Sequence, residues 1–148
     1  MGTVAGFLLA LPAEARPPEQ SCQLSRSIYR DVNGKGFELS FKGGRFESVS
    51  QWAIATLRHR QKGVKTAFDV SSMQGAGGII LTPRGNKYRE SKNDLNLYVF
   101  NANLTSSVER GAPTYIFISG LGSFDWYWNR DQGEPYVWDT LWKFNRCS

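Results

Sequence analysis

His59 is the only histidine in this chain of 148 residues, and it is the first side chain to ask about chemistry. It lies in Arg58-His59-Arg60-Gln61-Lys62-Gly63-Val64-Lys65, a basic stretch around a turn signal. An imidazole there could act as a general base if folding set a carboxylate or nucleophile beside it. That reading gives a secreted hydrolase using His59 with an acidic partner. A lone histidine excludes the multi-histidine zinc motifs, and no nucleophile motif accompanies it. An exposed histidine in a basic turn is the simpler expectation. Asp125 and Asp139 could face each other across a final hairpin. Glycoside hydrolysis, however, needs both carboxyls in one cleft at a set distance.

Other candidates carry less. Gly75-Ala76-Gly77-Gly78 lacks the Gly-Lys-Ser/Thr ending of a phosphate loop and precedes a strand, so no helix N-terminus is at hand. Asn103-Leu104-Thr105 is a glycosylation triplet, with meaning only in a eukaryotic secretory route. Neither cysteine sits in a CxxC or Cys/His cluster, so no metal or cofactor is expected. Catalysis is therefore the secondary reading and binding the primary one.

Two groups of residues could bind. Arg58, Arg60, Lys62 and Lys65 with His59 in one stretch, and Arg84, Lys87, Arg89 and Lys92 in another, would form an anion-binding patch if they met at one end of a sheet. Tyr88 is the sole aromatic among them, which weighs against nucleic acid. Asp125, Tyr127 and Asn129 would form the polar face of a last hairpin. The expected partner is an anionic polymer or a glycan.

These residues need a scaffold, and half of the chain's aromatics, with four of its five tryptophans, lie between Tyr115 and Phe144. The segment divides at Gly120-Leu121-Gly122 and again at Arg130–Gly133. Thr114–Ser119, Ser123–Asn129 and Pro135–Arg146 all alternate with period two, which predicts strands. Phe124, Trp126 and Trp128 would then share one face, as would Tyr136, Trp138, Thr140, Trp142 and Phe144. Such a face is expected to be core. An exposed aromatic platform for sugar rings or nucleobases is the alternative.

Upstream, Asn33-Gly34 and Gly43-Gly44 signal hairpins. Between them Phe37, Leu39 and Phe41 should point in, with Glu38, Ser40 and Lys42 out. Arg45–His59 holds two strands or one with a bulge, a helix over Val49–Leu57 being the alternative. Val64, Thr66, Phe68 and Val70 should share a face. Ile79–Thr82 and Leu95–Asn101 are further strands, and Pro83–Asp94 and Thr105–Ala112 are loops. About eight to ten short strands, little helix and no repeat predict an antiparallel all-β domain, a sandwich or closed barrel.

Hydrophobic residues make up 41% of the chain and charged residues 21%, with a formal charge of +5. This is a globular composition with one domain's length. Val4–Leu11 is an apolar run too short to cross a bilayer, and Ala13-Glu14-Ala15 fits a signal-peptidase site. Residues 1–15 are read as a signal peptide and 16–148 as the domain, which places the protein outside the cell or in a periplasm. Cys22 and Cys147 bracket that domain, and a disulfide between them would close a very long loop. The expected function is a small exported binding module, with the hydrolase or a structural envelope component as alternatives.

Overall fold

In a computed structural model, residues 22–44, 46, 50–72, 78–89, 94–106 and 111–148 are described, with Gly2 and Gly6. The signal-peptide reading, the Gly75–Gly77 part of the glycine loop and Lys92 lie outside these.

Eight antiparallel strands close into a barrel in sequence order: β1 (Ser27–Asp31), β2 (Phe37–Gly43), β3 (Gln51–His59), β4 (Gly63–Ser72), β5 (Ile79–Pro83), β6 (Leu95–Phe100), β7 (Tyr115–Ser119) and β8 (Leu141–Cys147). The all-β expectation is met, and of its two architectures the barrel is the one formed. Closure comes from β1 pairing with β8, so no described strand keeps a free edge. Glycines make two of the tight turns possible. Gly34 (φ +67°) serves the β1–β2 turn and Gly63 (φ +91°) the β3–β4 turn.

Period two sorts the barrel wall. Tyr29, Phe37, Leu39, Phe41, Ala53, Ala55, Leu57, Phe68, Val70, Leu81, Ile116, Ile118 and Trp142 point inward, almost wholly shielded from water. Interior positions of an eight-stranded barrel are just wide enough for side chains to fill. The predicted inward set Phe37, Leu39 and Phe41 is correct. The stretch Arg45–His59 supplies the one strand β3 from Gln51 onward, bulged against β4 at both ends. The helical alternative fails over Gln51–Leu57.

Three expectations need correction. Val64 does not share a face with Thr66: the pairs Leu57↔Thr66 and Arg58↔Val64 skip Lys65, a β-bulge that leaves Val64 outside and buries Lys65. Glu38 points outward but is nearly buried, because Arg30 and Arg146 fold over it at 3.2 and 3.6 Å.

The third concerns the last hairpin. Ser123–Asn129 is not a strand but most of helix α1 (Leu121–Trp128), followed by a 3-10 turn over Arg130–Gln132. Gly120 (φ +81°) turns the chain out of β7 and into the helix. Leu121, Phe124 and Asp125 are buried at spacings of three and four, the period of a helix face. Of Pro135–Arg146, only the part from Leu141 is strand. The residues before it return across the barrel mouth in irregular backbone, with a cis Glu134–Pro135 peptide.

At the other end, Cys22 and Cys147 form the expected disulfide, with Cα atoms 5.9 Å apart. It joins the segment before β1 to the end of β8, beside the barrel's closing seam. Disulfides persist in oxidising compartments. No helix among the described residues is long and apolar enough to cross a membrane.

Candidate binding surface

In an up-and-down barrel every second connection emerges at the same end. The β1–β2 and β3–β4 turns, the β5–β6 connection and α1 therefore gather at one mouth. Both predicted basic stretches, and the segment holding Asp125, Tyr127 and Asn129, come together there.

The mouth is closed by a polar clasp. The bulge at Lys65 sends its ammonium inward to Asp125 Oδ2 at 2.9 Å, with the two side chains 6% and 0% exposed. Lys65 Nζ also donates to the Pro135 carbonyl at 2.7 Å. It sits 5.7 and 5.3 Å from the Phe37 and Tyr136 ring centres, a cation–π pairing that helps replace lost water. Asp125 Oδ2 accepts from the Val137 N–H at 2.8 Å, and Oδ1 accepts from Asn129 Nδ2 at 2.8 Å. Asn129 Nδ2 donates on to Thr66 Oγ1 at 2.9 Å, and Asn129 Oδ1 accepts from the Tyr88 hydroxyl at 2.6 Å. Gln132 donates to the Lys65 carbonyl at 3.1 Å. Helix, return segment, β4 and the β5–β6 connection thus meet on one buried ion pair whose polar groups are satisfied.

Asp125 and Asn129 were expected on a solvated hairpin face, and they are fully buried instead. A helix puts residues four apart on the same side, which a strand reading cannot anticipate. Of the three, Tyr127 alone reaches solvent. Asp139 accepts from the Gly122 N–H at 2.7 Å, at the start of α1. The two carboxylates hold different parts of the cap.

His59 is buried rather than exposed. Its Nε2 lies 2.9 Å from the Lys35 carbonyl, and Nδ1 accepts from the Gln61 N–H at 3.2 Å. Accepting at Nδ1 places the proton on Nε2, which then donates to Lys35. Both ring nitrogens are occupied by backbone, and the ring packs edge-on against Phe37.

The cations divide. Arg84 pairs with Asp69 at 3.4 Å and Lys87 with Asp131 at 2.6 Å. The hydrogen bond from Lys87 holds the Asp131 carboxyl below the usual carboxylate range. Arg60, Lys62 and Arg89 are exposed at the mouth. Arg58 leaves the group, since it points out from the barrel wall opposite Glu38.

Above the clasp stands a shelf of aromatics. Trp126, Tyr127 and Trp138 are 49%, 64% and 65% exposed. Arg130 lies against Trp126 and Tyr127, its guanidinium carbon 5.9 and 6.0 Å from their ring centres. Trp126 meets Tyr136 edge-to-face at 5.0 Å. The expected common aromatic face is therefore split. Phe124, Trp142 and Phe144 enter the core, while Trp126 and Trp138 face solvent. No family model, no curated protein and no solved structure matches this chain. The shelf's geometry has to speak alone. For Trp126 and Trp138 the outcome is the alternative of an exposed aromatic position rather than the core one, and Arg130 is a residue the sequence does not single out. Helical spacing from Leu121 through Phe124 and Asp125 was the signal that would have turned Trp126 outward.

Among the described residues no group of three His, Cys, Asp or Glu side chains could hold a metal ion. The Asn103–Thr105 triplet lies in the exposed β6–β7 connection, where Thr105 Oγ1 donates to Asn103 Oδ1 at 2.7 Å.

Proposed function

We propose that this protein is an exported, non-catalytic binding module that takes a carbohydrate partner at the capped mouth of its barrel. The observation that carries this is the shelf of Trp126, Tyr127 and Trp138, exposed and yet mounted on a rigid, buried clasp. Large aromatics held open to water supply flat apolar area at little entropic cost on binding. Arg130 between two of them, with Arg60 and Lys62 in the neighbouring turn, adds donors for hydroxyl or carboxylate groups on a sugar. The terminal disulfide favours export, since such a bond is kept in oxidising compartments. Occupation of both His59 nitrogens by backbone favours binding over hydrolysis.

The test is a titration of the disulfide-intact protein against a panel of neutral and acidic oligosaccharides, followed by tryptophan fluorescence. A binding sugar should lose at least about tenfold in affinity with Trp126→Ala or Trp138→Ala, the loss typical of an aromatic anchor. No saccharide binding across the panel, or binding indifferent to both substitutions, would overturn the reading.

A further inference from the structure

A second surface, distinct from the aromatic shelf, stands on the outer wall of β8, β1, β2 and β3. Strand pairing lays its side chains out in rows. Lys143, Arg30, Glu38 and Arg58 form one row across the four strands, through the pairs Arg30↔Lys143, Arg30↔Glu38 and Glu38↔Arg58. The next row is Arg146, Ile28, Ser40 and Thr56. Lys42 follows along β2. Arg26 stands beside it, and the two help line an open groove of about 820 Å³ with Ser25, Ser40, Thr56 and Ser148.

The charge on this wall is one-sided. Six cations (Arg26, Arg30, Lys42, Arg58, Lys143 and Arg146) surround Glu38, the one acid among the outward-facing described residues of these strands. Arg30 and Arg146 share Glu38, and both side chains remain well exposed. Arg26, Lys42, Arg58 and Lys143 form no salt bridge among the described residues. At the mouth, by contrast, three of the cations are neutralised by Asp69, Asp125 and Asp131. Among the described residues, the charge of these strands is thus less compensated than that of the clasp.

We infer that this wall binds a linear sulfated polysaccharide lying across strands β8 to β3, with one anionic group seated in the groove between Arg26 and Lys42. Paired strands set neighbouring side chains about 5 Å apart, so Lys143 stands next to Arg30, with Arg58 beyond Glu38 in the same row. Cations spread over four strands around a single acid suit charges repeated along an extended chain. Trp52, the one aromatic on the outward face of these strands among the described residues, is only part-exposed and its indole N–H is held by Ser72 Oγ at 3.0 Å, which disfavours the base stacking of single-stranded nucleic acid. The disulfide fits an oxidising compartment outside the cytosol, where a polysaccharide is an accessible polyanion. This inference is independent of the carbohydrate reading at the mouth.

The experiment uses the full, oxidised chain and heparin as probe. Binding is measured as salt is varied, for wild type, for the wall variant Lys42→Gln/Arg58→Gln/Lys143→Gln and for the mouth variant Arg60→Gln/Lys62→Gln/Arg89→Gln. The wall variant should weaken binding by about tenfold or more and flatten the salt dependence, as lost ion contacts do for any polyanion. The mouth variant should lose several-fold less affinity than the wall variant. In wild type, heparin should protect Lys42 and Lys143, but not Lys62, from amine-reactive labelling, a readout that needs no variant to fold. Absence of heparin binding, equal loss in the mouth variant, or unprotected Lys42 and Lys143 would each overturn the inference. So would equal or tighter binding of duplex DNA.

Discussion

Lys65 and Asp125 meet at 2.9 Å beneath the capping helix, from positions 60 residues apart in sequence, and neither side chain reaches bulk water. Each charge depends on the other to be tolerable there. Asp125→Ala or Lys65→Ala should destabilise the protein by about 3–5 kcal/mol, because the partner is left charged and buried. The paired apolar replacement Lys65→Met/Asp125→Leu should recover most of that loss. Urea denaturation of the singles and the double settles it, and a double no better than the worse single would show the pair to be net stabilising.

Asp131 titrates under the influence of Lys87. Its folded carboxyl lies below the ordinary aspartate value, so its contribution to stability is present above that value and fades as pH falls through the lowered one. The residue is exposed, and salt should weaken the effect. A carboxyl NMR titration should show Asp131 below the usual value of about 3.9, moving back toward it in Lys87→Met.

Gly122 is confined by its neighbours. A Cβ there would lie 2.8 Å from the Asp139 backbone nitrogen and 3.1 Å from the Trp138 Cα. Gly122→Ala should push the return segment off α1, costing about 1–3 kcal/mol as overpacking does. Thermal unfolding measures the loss. Quenching of Trp138 by acrylamide should rise at the same time.

Cys22 and Cys147 are 125 residues apart in sequence. The loop-closure model gives about 4–5 kcal/mol for such a link. Cys22→Ser/Cys147→Ser should lower the denaturation midpoint accordingly. In the wild type, both thiols should be alkylated only after reduction, as read by intact mass.

The surface tryptophans should behave unlike the buried one. Trp126→Ala and Trp138→Ala should change stability by no more than about 0.5 kcal/mol. Trp142→Ala should cost about 3–5 kcal/mol, since it empties a fully buried site. Chemical denaturation of the three variants separates these outcomes.

Most of the barrel could be read from sequence, because a wall with one face on a core imposes period two on each strand. Phe37, Leu39 and Phe41 show it without ambiguity. The bulge at Lys65 could not be read, since one skipped pairing inverts the face of every residue before it and leaves no local mark. Helix α1 was masked by its aromatic density. With Phe124, Trp126 and Trp128 in place, an alternating count succeeds by composition alone, while the decisive helical neighbours include a polar residue, Asp125. Barrel and sandwich were indistinguishable because the choice rests on one pairing, β1 with β8, between the two ends of the domain. Of the expected site residues, Lys65, Lys87, Asp125 and Asn129 do meet, but in the clasp under the shelf. The cations of the wall are scattered along the sequence, and only strand register brings them onto one face.

That single long-range seam also shapes how the chain must be made. Seven of the eight pairings join neighbours in sequence and can form as the polypeptide emerges. The eighth waits for β8, so a nascent sheet carries two open edges and a lone Cys22 thiol until the last strand arrives. During that interval the edge of β1 is a template for another chain, and Cys22 can be oxidised by the wrong partner. Truncation within β8 would make that vulnerable intermediate permanent, and covalent dimers linked through Cys22 would be its signature.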